Sequence, residues 1–223
     1  MKKMWCIQEI TPEYRERMYD LLALYALPYD TRRPVVCIDE KSKQLFGERR
    51  KPILQKPGSP LKYDYEYVRN GTRNIFVAVE PKGGRRIVEV TKRRAKHDFA
   101  RFVKRLVDES YLSVDKLRLV VDNLNTHFEK SFTETFPRKE ADRILGKVEF
   151  HYTPKHASCL NMAEIEINAM SRECFGVRRF PQEQYLAQEV AAWERQRNKN
   201  GSKIVWKFTR QDADAKLGGH YVA

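Results

Sequence analysis

The sequence predicts an α/β fold: a mixed five-stranded sheet flanked by helices, followed by a helical extension at the C-terminus. Alternating and β-branched runs separated by glycine-containing turns fill residues 63–90 and indicate an antiparallel meander. Helical and strand-like segments then alternate from residue 99 to residue 152. Hydrophobic residues make up 41% of the 223 residues, which is enough to form the core of a single domain.

The first part of the chain, residues 1–30, is predicted to be a helical lead-in. Thr11 followed by a proline and an acidic first turn is typical of a helix start, apolar residues then recur at helical spacing, and Pro28 ends the helix. A buried strand from Val35 to Asp39 follows. The basic, proline-rich stretch from Arg49 to Pro60 predicts a connection without long regular structure, either an ordered functional loop or a mobile one.

Two turn signals, Asn70-Gly71 and Lys82 to Gly84, are expected to separate the strands of the meander. A helix with one apolar face is predicted from Phe99 to Val107, and strands are predicted at Leu117 to Val121 and at Val148 to Tyr152. This order of elements is the ribonuclease H-like one, and we assign it to residues 31–176.

Helical spacing of the apolar residues from Leu160 to Cys174 predicts one more helix of the core. Glu164 lies at the border of its buried face, whereas Glu166 is about 200° further round the helix and is expected to be solvated. The C-terminal extension, residues 177–223, is predicted to contain a helix that ends near Asn198.

The chain is strongly basic, with 43 Lys and Arg against 30 Asp and Glu and a formal net charge of +13. Such a surface favours phosphates, and nucleic acid is the better interpretation because no apolar stretch is long enough to span a bilayer. We therefore expect no membrane partner.

The four cysteines form no CxxC pair and no zinc-type spacing, so they are expected to be reduced thiols. They are Cys6, Cys37, Cys159 and Cys174. The N-terminus lacks the apolar core of a signal peptide, and the expected location is the cytoplasm or bacterial nucleoid.

Three carboxylates carry the predicted chemistry. Asp39 and Asp122 each follow an apolar run that reads as a buried strand, and Glu164 lies on the predicted helix. Taken singly, each has an ordinary alternative, since a strand-end Asp often starts a loop or caps a helix and a helical Glu is often exposed. Together, on a basic chain, they indicate divalent metal ions that act on a polyanion.

Several polar residues near the acids have weaker support. His127 could orient the loop after Asp122 or simply begin the next helix. Asn123 and Asn161 could donate hydrogen bonds to the acids or to a phosphate, or act as caps. His156, together with Lys155, could face the scissile phosphate.

Each cluster of basic residues taken alone would ordinarily be a solvated face, but several clusters on a chain of net charge +13 are expected to contact phosphates. The clusters are Arg49, Arg50 and Lys51; Arg85 and Arg86; Lys92, Arg93, Arg94 and Lys96; and Arg178 and Arg179.

Three stretches resemble the signature blocks of a known family. Val36 to Glu40, Val120 to His127 and His156 to Glu164 are similar to the three blocks of the DDE-type transposases of bacterial insertion sequences related to mariner elements. The stretch between Asp122 and Glu164 is longer than is usual there, which indicates an enlarged helical segment around Phe132 to Leu145.

The resemblance implies that Asp39, Asp122 and Glu164 bind two magnesium ions, for which manganese can substitute. It implies cleavage of transposon ends in double-stranded DNA and attack of the freed 3′-hydroxyl on target DNA, by a homodimer on paired ends. Such relatives read their ends with an N-terminal helix-turn-helix region, so we expect one as a further region or a separate polypeptide.

Two other functions remain open from the sequence. One is a catalytically inactive DNA-binding transposase remnant, which would bind DNA without binding metal. The other is a structure-selective ribonuclease H-like nuclease, which would cut hybrids or junctions without joining ends.

Overall fold

The computed structural model describes residues 9–62, 64–123 and 127–222. Its five strands form one mixed sheet in the order β3-β2-β1-β4-β5. The strands are β1 (Val35–Glu48), β2 (Tyr67–Glu80), β3 (Arg85–Thr91), β4 (Leu117–Val121) and β5 (Val148–Tyr152). β1 pairs antiparallel with β2 and parallel with β4, so the meander and the alternating half share one sheet, as predicted.

Helices cover both faces of this sheet. In the described ranges the α-helices are α1 (Pro12–Ala26), α2 (Lys96–Arg105), α3 (Lys130–Thr135), α4 (Arg138–Lys147), α5 (Ala163–Met170), α6 (Glu183–Asn200) and α7 (Arg210–Leu217). A π-helical turn extends α2, and another extends α5. No helix in the described residues is both long and apolar enough to cross a membrane.

Alternation along β1 divides the core into two layers. Val36 and Ile38 face a cluster built with α2, α3 and α4. Cys37 faces the opposite layer, which contains α1, α5 and a residue of α7, and α6 covers the same face further along the sheet. Side chains two positions apart on a strand share a face, so Asp39 belongs to the Cys37 side and Glu40 to the Ile38 side.

Most predicted helices are present near their predicted bounds. Thr11 caps α1 by accepting a hydrogen bond from the Tyr14 N–H at 3.2 Å, and the helix ends before Pro28. α6 ends at Asn200, and Gly201 follows with φ +58°, the left-handed conformation that glycine adopts without strain. The predicted division into residues 1–30, 31–176 and 177–223 stays a prediction.

The prediction of a turn at Asn70-Gly71 was wrong. Both residues lie inside β2, where Gln44 pairs with Thr72 and Phe46 pairs with Arg69. Leu45 therefore stands opposite two residues, which is a β-bulge, and Gly71 has φ +90°. The glycine serves a bend within a strand rather than a reversal, so β1 and β2 are each 14 residues long.

The basic stretch after β1 connects the far ends of β1 and β2. Its described residues form only two isolated bridges, Ile53 with Lys62 and Lys56 with Ser59, in agreement with the predicted absence of long regular structure.

Candidate active site

Asp39 and Asp122 lie level with each other at neighbouring strands. Cys37 of β1 pairs with Val120 of β4 in a parallel register, and each acid is two residues beyond its member of that pair. Parallel strands carry their carboxyl ends to the same edge, so the register brings the two acids together. The two strand-end acids predicted from the sequence therefore lie at the ends of neighbouring strands.

The Asp39 carboxyl group is half-buried, and its negative charge is not paired with a cation among the described residues. Burial is the largest cause that raises its pKa from 3.8 to about 7. The N–H of Glu40 donates to Asp39 Oδ1 at 2.7 Å and lowers the pKa. The nearby charges of Glu40, Asp122 and Glu164 raise it. No ion pair with Asp39 or Glu164 occurs among the described residues, so negative charge accumulates here.

Glu164 is held beside β1 by the start of its helix. The buried Asn161 donates from Nδ2 to the Ile38 carbonyl at 2.8 Å and accepts from the Ala163 N–H at 3.1 Å. The amide of Asn161 thus joins the first turn of α5 to the residue that precedes Asp39. Because Glu164 lies in that turn, its charge acts on Asp39.

A buried histidine joins the ends of β1 and β4. His127 is 0% exposed, and its Nε2 lies 2.8 Å from Glu40 Oε1. Its Nδ1 forms an ion pair with the Asp122 carboxylate. Burial by itself lowers the pKa of His127, but hydrogen bonds and charges from Asp122 and Glu40 raise it to about 10. The imidazole is therefore a cation at neutral pH.

Glu40 is the functional residue that the sequence did not reveal. Its side chain is only 4% exposed, although it follows Asp39 directly. Alternation sends it to the opposite face of β1, where its partner comes from a loop 87 positions away. Strand alternation signals its direction, but nothing local in the sequence signals the partner.

The expectation that Glu166 is solvated was wrong. Glu166 is 1% exposed and pairs with the fully buried Arg86 of β3 at 2.6 Å and with Arg197 of α6 at 3.0 Å. We call Arg86, Glu166 and Arg197 the arginine clamp. Burial opposes ionisation of Glu166, but the hydrogen bonds from both arginines lower its pKa. The predicted angle between Glu164 and Glu166 around the helix was correct, but the sequence did not predict that β3 and α6 cover Glu166.

Most of the basic residues proposed for DNA contact are exposed, but Lys96 and Arg179 are half-buried and Arg86 is buried. Arg86 is buried in the arginine clamp and was wrongly expected to contact phosphate. Exposed side chains are those of Arg49, Arg50, Lys51, Lys92, Arg93, Arg94, Lys155 and His156. Arg49 pairs with Glu66 at 3.3 Å, and Arg178 and Arg179 pair with Glu189 and Glu48.

Lys155 and His156 lie in a cleft that reaches the residue after Asp122. Asn123, which follows Asp122, lines this cleft together with the first turns of α1. His156 has φ +64°, a backbone conformation uncommon outside glycine, in the loop between β5 and α5. The loop therefore presents two polar side chains in the cleft that Asn123, the neighbour of Asp122, also lines.

The donor set suits a divalent cation that prefers oxygen ligands. Asp39, Asp122 and Glu164 offer carboxylate oxygens, and their mutual repulsion would be relieved by added positive charge. In the described ranges, however, no three His, Cys, Asp or Glu side chains already lie close enough together to hold an ion. The residue types and their charges therefore suit a divalent cation, although the three carboxylates do not lie close enough together to coordinate one in this structure.

A mixed sheet of this order, with acids at the ends of β1 and β4 and on α5, defines a ribonuclease H-like fold with a carboxylate site. The profile of the DDE superfamily endonuclease matches residues 34–187. Because this match covers more than half of the chain, the protein belongs to that family.

Solved structures of Mos1 mariner transposase share the fold. The paired-end complex with Mn aligns with a TM-score of 0.57 at 15% identity, over 90% of this chain and 62% of that one. The strand transfer complex aligns with a TM-score of 0.58 at 14% identity, over 90% and 63%. The paired-end complex with Mg aligns with a TM-score of 0.57 at 14% identity, over 100% and 67%.

The chain spans about three fifths of the length of the first two of these structures. A comparison with curated proteins found no match.

Proposed function

We propose that this chain is the catalytic core of a DNA transposase, which cleaves transposon ends and transfers the 3′-hydroxyl to target DNA in a metal-dependent reaction. The observation that carries the proposal is the placement of Asp39 and Asp122 at level positions on adjacent parallel strands, within electrostatic reach of Glu164. Family membership and the net charge of +13 support it.

Asp39, Asp122 and Glu164 would hold two magnesium ions, and manganese would substitute because both accept oxygen ligands. Bound there, the ions would activate the attacking oxygen and stabilise the leaving oxygen of the phosphodiester. The chain supplies the rigid placement: β1 and β4 fix two carboxylates, and Asn161 fixes the helix that carries the third. Rigid elements hold ligands more accurately than loops do.

We further propose that DNA phosphates contact the exposed basic residues around this site. Lys155 and His156 are the strongest candidates, since they share a cleft with Asn123. Lys92, Arg93 and Arg94 after β3, and Arg49, Arg50 and Lys51 in the β1–β2 connection, are exposed and are further candidates. Arg49 and Arg50 would exchange Glu66 and Asp64 for phosphate on binding.

The test of the reaction is a nicking and joining assay with double-stranded DNA, Mg²⁺ and pre-cut 3′-hydroxyl ends. Asp39→Asn and Glu164→Gln should each reduce nicking and joining at least a thousandfold, while their circular dichroism spectra match the wild type. Asp142→Asn and Glu16→Gln are matched controls on exposed helix faces and should retain activity. Full activity of Asp39→Asn contradicts the proposal.

The same assay separates the two rival functions. A structure-selective nuclease would cut RNA–DNA hybrids or junctions and leave 3′-ends unjoined. An inactive remnant would bind DNA without Mg²⁺-dependent nicking in the wild type. Nicking together with joining supports the transposase core.

The test of DNA contact is the salt dependence of binding. Lys155→Ala should weaken binding for all sequences and reduce the slope of log K against log salt by about 1. Lys139→Ala, an exposed lysine on α4, is the control and should leave the slope unchanged. Action as a homodimer on paired ends, the further helix-turn-helix region and the bacterial insertion-sequence origin stay predictions.

A further inference from the structure

His127 makes two charged contacts from one buried ring. Nε2 faces Glu40 Oε1 at 2.8 Å, and Nδ1 faces both the carboxylate and the carbonyl oxygen of Asp122, the latter at 3.2 Å. A ring with both nitrogens engaged cannot rotate without breaking both contacts. Its orientation is therefore determined by Asp122 on one side and Glu40 on the other.

The surroundings hold the ring in that place. The Phe99 ring of α2 lies with its centroid 4.4 Å from the His127 ring, and the Tyr152 hydroxyl donates to the His127 carbonyl oxygen at 3.2 Å. Phe99 belongs to the same buried cluster as Phe132, so its contact with His127 is part of the core. His127 is thus part of the fixed framework.

Glu40 connects this framework to β1. It follows Asp39 and points to the opposite face, so Glu40 and His127 join the ends of β1 and β4 on the side of α2. On the other side, Asn161 joins β1 to α5 through the Ile38 carbonyl. Residues 38–40 of β1 therefore serve as the common anchor of the elements that carry Asp122 and Glu164.

Direct participation of His127 or Glu40 in the reaction does not fit this geometry. Both nitrogens of His127 are already paired, and its side chain is 0% exposed. Glu40 is 4% exposed and its carboxylate is directed at His127. Neither group can reach a substrate, so both can act only through the residues they contact.

We propose that Glu40 and His127 are positioning residues for Asp122: Glu40 orients the imidazole, and the imidazole fixes the carboxylate that binds metal. The inference rests on the proposed function, because it presumes that Asp122 is a ligand. Removing a group that orients a metal ligand in this way commonly lowers metal affinity or activity by roughly 10- to 100-fold.

A matched pair of substitutions separates the two contacts. The amide of His127→Asn lies near the position of Nδ1 and keeps a donor toward Asp122, whereas that of His127→Gln lies near Nε2 and keeps the contact with Glu40. The full chain is titrated with Mn²⁺ alone, followed by electron paramagnetic resonance, and the Mg²⁺ dependence of nicking is measured in parallel.

We expect His127→Asn to keep Mn²⁺ affinity within a few fold of the wild type and His127→Gln to lose about tenfold or more. Glu40→Gln should lose an intermediate amount, and it covers the case in which the His127 variants fail to fold. Glu89→Gln, a half-buried strand carboxylate paired with Arg105 at 3.0 Å, is the control and should match the wild type.

Equal Mn²⁺ affinity in the wild type, His127→Gln and Glu40→Gln overturns the inference, as does an equal loss in His127→Asn and His127→Gln. The Asp122→Asn variant shows whether it is the assignment of Asp122 as a ligand or the positioning role that fails. If the wild type binds Mn²⁺ and Asp122→Asn does not, the ligand assignment stands and only the positioning role is under test. If the wild type itself binds no Mn²⁺, the proposed function and this inference both fall.

Discussion

Two clusters of charge, each containing a glutamate of α5, are balanced in opposite ways. The arginine clamp sets two guanidinium groups against the single carboxylate of Glu166. The candidate active site sets one cation, His127, among four carboxylates, of which it pairs with two. Buried charge that serves only the fold is paired within the chain. The unpaired excess at Asp39 and Glu164 therefore distinguishes the site from the scaffold.

The largest expected effect comes from breaking the arginine clamp. Arg86→Met removes the fully buried partner of Glu166 and should lower the free energy of unfolding by about 3 kcal/mol or more. For a chain of this size the corresponding fall in Tm is roughly 6–12 °C. Calorimetry measures it, and Arg195→Met, exposed on α6, is the control and should change Tm little. An unchanged Tm for Arg86→Met would mean that the clamp is not stabilising.

Removing a charge from the other cluster should have the opposite sign. The raised pKa of Asp39 means that the folded state holds a proton more tightly than the unfolded chain, so its ionisation destabilises the fold as pH rises from about 4 to about 7. A pKa that is higher by about three corresponds to about 4 kcal/mol, and water partly screens the half-buried carboxylate, so Asp39→Asn should stabilise the metal-free protein by about 2 kcal/mol at pH 8.

Urea unfolding in EDTA at several pH values measures this difference. The advantage of Asp39→Asn should shrink as pH falls toward 4 and should be reduced by Mg²⁺, which stabilises only the wild type. A variant that is less stable than the wild type at pH 8 would show that the Asp39 charge is already balanced within the chain.

An intermediate effect is expected at the residue that connects α5 to β1. Asn161→Ala leaves the Ile38 carbonyl and the Ala163 N–H without their side-chain partner and should cost about 1–3 kcal/mol. Nicking should fall more than stability alone explains, because Glu164 loses its fixed position. Asn198→Ala, which breaks two side-chain bonds to Arg86 backbone atoms, is a control for a loss of stability away from the acids.

The smallest effect is expected at the partly exposed member of the arginine clamp. Arg197→Lys keeps a positive charge near Glu166 and leaves Arg86 in place, so the loss should be below about 1 kcal/mol. Arg197→Met should lose more than Arg197→Lys in the same urea titration. Equal losses would indicate that packing rather than charge holds α6 to α5.

The order of elements along the chain and the two strand-end acids could be predicted because local sequence determines them. Apolar runs that end in an acid specify both the buried strand and the position of its carboxylate, as for Asp122. The helix start at Thr11 and the end of α1 before Pro28 are likewise local.

Packing between elements that are distant in sequence could not be predicted from these local patterns. Glu166 was placed on the correct side of α5, yet burial on that side depends on β3 and α6, which lie far away in sequence. Strand alternation in β3 makes Arg85 exposed and Arg86 buried, a difference that two adjacent arginines conceal. Gly71 shows the same limit, because a positive φ serves a bulge as readily as a turn.

The position of Arg197 has a practical consequence for anyone who trims the chain. The match to the endonuclease family ends at residue 187, within α6, whereas Arg197 lies ten residues further along the same helix. A shortened version that ends at the family boundary would keep all three proposed ligands but lose Arg197, which forms an ion pair with Glu166. A minimal core should therefore extend through Asn200, so that the whole of α6 remains.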